Sequence, residues 1–138
     1  MTYPQTVPAA AAPDTARSRP WSAVAIAAAA AIIGLEGWVA FHISHPQGAV
    51  IAMALSAAGI AWLSRRGGRA PAIFLGVFFA LELILNFTIF GVLGDLRHQG
   101  SWTDFATGLG YSAASLAGLS ACLALTAART PDDDNAGN

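Results

Sequence analysis

Four long apolar runs, separated by short polar connectors, leave this chain very few ways to fold. They cover about residues 21–43, 47–63, 71–93 and 103–128, each near the roughly 20 residues a helix needs to cross a bilayer core. None alternates polar with apolar positions, and each is too long for a barrel strand, so helices are the expected element. The expected fold is all-α and integral to a membrane: a four-transmembrane-helix bundle of two antiparallel helical hairpins. Composition agrees. Only 11% of the 138 residues are charged, where a soluble domain carries about 25%. The net charge of −1 gives no footprint for nucleic acid. The single cysteine, Cys122, lies in an apolar run and reads as an inert buried thiol.

The bundle domain is expected over residues 21–129, between two tails. Residues 1–20 hold Pro4, Pro8, Pro13 and Pro20 and almost no large apolar side chain, so they read as a disordered N-terminal tail. Residues 130–138, with Asp132, Asp133 and Asp134, read as a disordered acidic C-terminal tail. The first run reads as a retained signal anchor, because Glu36 and Trp38 interrupt it and no small-x-small cleavage site follows.

Arginine placement sets an expected orientation. Arg17, Arg19, Arg65, Arg66, Arg69 and Arg129 fall at one end of the four runs, and Arg97 stands alone at the other. The positive-inside rule then puts both termini in the cytoplasm. All basic residues are arginine, as in a GC-rich bacterial genome, so the bacterial inner membrane is the expected location.

Two acids sit inside the apolar runs, Glu36 in "AIIGLEGWVAF" and Glu82 in "FFALELILNF". Asn86 lies one helical turn beyond Glu82. Counted from the nearest preceding arginines, Glu36 and Asn86 are level and Glu82 is about one turn deeper. A lone carboxylate at a helix centre costs about 2.5 kcal/mol upward, so these acids should face a shared interior and hydrogen-bond to each other or to Asn86. Helical periodicity puts Ala25, Ala29, Ala40 and Ile43 on the Glu36 face, with Trp38 and Phe41 pointing away. Gly108, Ser112, Ser115, Gly118 and Cys122 line one flank of the fourth run, and Gly48, Ala52, Ser56 and Gly59 line one flank of the second. Such small residues are helix-packing surfaces in membranes.

A second group, His42, His45, His98 and Asp95, with Asp104 nearby, falls at the end away from the arginines. His42 and His45 are spaced to share a metal ion or to serve a haem-linked site if the helix continues, and Pro46 argues against that continuation. No paired cysteines, haem-attachment motif, phosphate loop or nucleophile–base pair occurs, so no cofactor and no enzyme activity are expected. The leading expectation is a non-enzymatic accessory or interaction subunit whose buried carboxyls bridge helices. Its partners would be the lipid bilayer and a membrane-protein partner or a second copy. The alternatives are a small proton-coupled carrier or channel using Glu36 and Glu82, and an outer-face metal or haem-linked protein using the histidines.

Overall fold

The computed structural model describes residues 15–42, 44–88 and 102–128. Among the described residues four α-helices follow in order: α1 Thr15–His42, α2 Gln47–Arg66, α3 Arg69–Thr88 and α4 Trp102–Ala127. Each is long and apolar enough to cross a membrane. The tail segments 1–14 and 130–138 lie outside the described residues, as do residues 89–101, including the expected end of the third helix.

The helix boundaries depart from the apolar runs for local reasons. α1 begins at Thr15, within the stretch read above as tail, and carries Pro20 inside it. Pro20 is the sixth residue of the helix, past the first turn where proline is tolerated best, so it removes the backbone hydrogen bond to the carbonyl of residue 16. Between α2 and α3 only Gly67 and Gly68 remain outside the helices, with φ of +55° and +97°. Glycine adopts such values without a Cβ penalty, so α2 extends to Arg66 and α3 restarts at Arg69. The Gly67 N–H closes α2 by donating to the Leu63 carbonyl at 3.0 Å. α4 starts at Trp102, with Asp104 in its first turn.

The helices run up, down, up and down. α4 packs most extensively, against both α3 and α1; α1 also packs along α2, while α2 touches α3 only lightly. The α3–α4 register is antiparallel: Asn86 meets Gly108 and Ser112, Phe79 meets Gly118, and Gly76 meets Cys122. The light α2–α3 contact lies near the turn, where Leu75 and Phe74 pack on Gly59 and Trp62 meets the Phe74 ring at 5.9 Å.

Small residues govern these approaches. A Cβ on Gly118 would run into the Phe79 ring, and one on Gly59 into the Leu75 side chain. Phe79, Ile32, Leu75, Pro71 and Cys122 are fully buried and, with Ala25, Ala29, Ala72 and Ala121, make a tight core toward the arginine end. The outside is apolar as well, with Ile51, Val77, Leu81, Ile84, Leu116 and Leu123 exposed.

Gly118→Ala should lower the unfolding free energy by about 1–3 kcal/mol, because an aromatic ring cannot yield as a flexible chain end does. A Cβ at Gly34 meets nothing within 4 Å, so Gly34→Ala should be neutral or stabilise by up to ~1 kcal/mol through helix propensity. Reversible unfolding in detergent micelles checks the pair; equal effects would mean that α3 and α4 are farther apart than described.

Candidate functional site

The interior changes character along the bundle axis. The fully buried large apolar side chains lie toward the arginine end. The polar interior groups, Glu36, Glu82, Asn86, Tyr111, Ser112, Ser115 and Ser56, lie from the middle to the α1–α2 loop end. Glu36 belongs to the α1 line Ala25, Ala29, Ile32 that turns inward, and it is 9% exposed. Trp38 and Phe41, on the opposite side of α1, are exposed.

The partner of Glu36 is Tyr111, whose hydroxyl donates a hydrogen bond to the Glu36 carboxyl across the α1–α4 interface. α1 and α4 are close there: Leu35 lies 3.4 Å from where a Gly110 Cβ would be. Glu82 reaches the same interior from α3 and interacts electrostatically with both Glu36 and Tyr111. Among the described residues Glu82 has no hydrogen-bond partner. The arginines with described side chains, Arg19, Arg65, Arg66 and Arg69, are exposed at the opposite end of the bundle. The cluster thus brings two carboxyls and a phenol together from three helices. Such a set can hold, share and pass protons, and those described arginines supply no counter-charge to it.

Asn86 does not serve these acids through its nitrogen. Its Nδ2 donates to the Gly108 carbonyl at 3.0 Å and to Ser112 Oγ at 2.9 Å, and Ser112 Oγ donates to the same carbonyl at 3.0 Å. Asn86 is 5% exposed, so this closed triangle is a buried bridge between α3 and α4. Gly108, Ser115 and Gly118 are buried on the same helix as Ser112. On α2, Ala52, Ser56 and Gly59 are buried and Gly48 is exposed near the helix end.

The histidines behave differently from the acids. His42 ends α1 exposed, with Nδ1–H donating to the Trp38 carbonyl at 2.8 Å and its ring 4.2 Å from that of Trp38. His45 is exposed in the short loop. His98 and Asp95 lie outside the described residues. Among the described residues no three His, Cys, Asp or Glu side chains are grouped to hold a metal.

Sequence reading missed Tyr111. It stands among glycine, serine and alanine in "GLGYSAAS", and its meeting with Glu36 depends on the register between α1 and α4. The α4 periodicity does carry a signal, since Tyr111 sits one turn before Ser115 on the inward flank.

Tyr111→Phe removes the α1–α4 bridge and Asn86→Leu removes the α3–α4 bridge, and each should destabilise the bundle by about 1 kcal/mol. The two effects should add within about 0.5 kcal/mol, because the bridges share no atoms. Chemical denaturation of the single and double variants measures both.

Comparison with known protein families, with curated proteins and with solved structures finds no match to this chain.

Proposed function

We propose that this chain is a non-enzymatic multi-pass protein of the bacterial inner membrane, both termini cytoplasmic, that exchanges protons at Glu36 and Glu82 as a small proton-coupled carrier or channel. Membrane residence is supported by the four long apolar helices and by the large apolar side chains they turn outward. In water, an apolar surface of this extent would drive association. The orientation rests on the arginines, which gather at the end of the bundle where α2 turns into α3.

The observation that carries the functional reading is the meeting of Glu36, Tyr111 and Glu82 from three helices above an apolar plug. Ionisable groups inside membrane segments are expensive and mark proton or ion paths. Glu82 decides between readings. A purely structural acid would bridge helices, as Glu36 does through Tyr111; Glu82 bridges nothing among the described residues and brings a second acid to the first. Phe79 and Leu75 are fully buried below Glu82 on the same helix, so exchange is favoured toward the α1–α2 loop end, which the orientation makes external.

A second reading, an accessory or interaction subunit, is favoured by the two helix bridges, Glu36–Tyr111 and Asn86–Ser112–Gly108. Infrared spectroscopy of the carboxylic carbonyl bands in lipid, from about pH 5 to pH 9, separates the two, since acids in reach of water change protonation with the medium. Glu36→Gln and Glu82→Gln assign the bands. Under the proton-exchange reading at least one band loses intensity reversibly across the window. Bands unchanged throughout leave the acids as structural bridges and turn the search to partners.

A further inference from the structure

Hydroxyls in helices close onto a carbonyl one turn back when nothing better is offered. Thr88, Thr107, Ser112 and Thr126 do so, at 2.6–3.0 Å. Ser115 and Ser56 do not. Both are fully buried, at 0% exposure, and neither hydroxyl oxygen has a hydrogen-bond partner among the described residues. Leaving a buried hydroxyl unsatisfied costs about 1–3 kcal/mol, so two such exceptions in the core need a cause.

Their position supplies one. Stepping one turn from Asn86 along α3 reaches Glu82, and stepping the matching distance from Ser112 along α4 reaches Ser115, because the helices are antiparallel. Ser115 is thereby level with Glu82, the acid with no hydrogen-bond partner among the described residues. It is also one turn from Tyr111 on the same inward flank. Two unmet polar groups at one depth on adjacent helices, beside a phenol, supply the two to four polar partners that an enclosed water needs.

We propose that Ser115, Glu82 and Tyr111 hold a buried water molecule at the floor of the polar half. The Ser115 hydroxyl donates to the water oxygen, and the water donates to the Glu82 carboxyl. The second hydrogen of the water goes to the Tyr111 oxygen, whose own hydrogen goes to Glu36, so that Ser115, the water, Glu82, Tyr111 and Glu36 form one contiguous network. This deepens the proton-exchange reading and rests on it only for its purpose, since a water can be present whether or not the acids titrate.

Water-edited solid-state NMR of the labelled full chain in lipid vesicles tests it. Magnetisation from water should reach Ser115 Cβ about as promptly as exposed Ser64 and well ahead of Ala25 and Ala29 in the core. Ser115→Ala should also shift the Glu82 carbonyl band to higher wavenumber, as a lost hydrogen bond does, and leave the Glu36 band in place. Build-up at Ser115 as slow as at Ala29, or a Glu82 band unmoved by Ser115→Ala, overturns the proposal. Should the variant fail to fold, the wild-type build-up decides alone. Water at Ser115 beside acids that never titrate would remove the proton-exchange reading and leave the water standing.

Discussion

The bundle depends on how little α4 puts between itself and its neighbours. A phenyl ring from α3 lies where the side chain of residue 118 would be, and a leucine from α1 lies against bare backbone at residue 110. Without a hydrophobic force between helices in lipid, close contact of this kind is what holds them. It also fixes depth. Once Phe79 is seated on Gly118, Asn86 can reach only Ser112 and Gly108, and Glu82 is committed to the level of Ser115. α4 is therefore both the packing spine of the fold and the ruler along which the polar groups are spaced.

That spacing divides the interior into two solvents. Toward the arginine end the core is phenylalanine, leucine, isoleucine and alanine at near-complete burial. Toward the other end the same helices present acids, a phenol, an amide and hydroxyls. The polar groups there fall into two kinds. Asn86 and Ser112 satisfy each other, and they serve cohesion. Glu82 and Ser115 lack hydrogen-bond partners among the described residues, and unmet capacity is what chemistry requires.

Much of this was legible from residue order, and the illegible part has one physical origin. Run length gave four helices, and periodicity within each run identifies the faces on which Ala25, Ala29 and Glu36, or Gly108, Ser112, Ser115 and Gly118, are buried. Periodicity carries no information about the vertical offset between one helix and the next. Tyr111 as the partner of Glu36, and Asn86 turned to α4 instead of to the acids, both follow from that offset. Helix ends were misplaced where glycine or proline acts near a terminus: the Gly67–Gly68 turn is far tighter than its polar surroundings suggest, and Pro20 does not stop α1.

The tight turn has a mechanical consequence. α2 and α3 are tied by two residues at one end and touch lightly, with Gly59 and Trp62 meeting Leu75 and Phe74 in the half nearer that tie. They are built like tweezers, with the glycine pair as the spring. A rotation about that pair would move Leu63 against Pro71 least and the far ends, Gln47 and Thr88, most, with Glu82 carried on the moving arm.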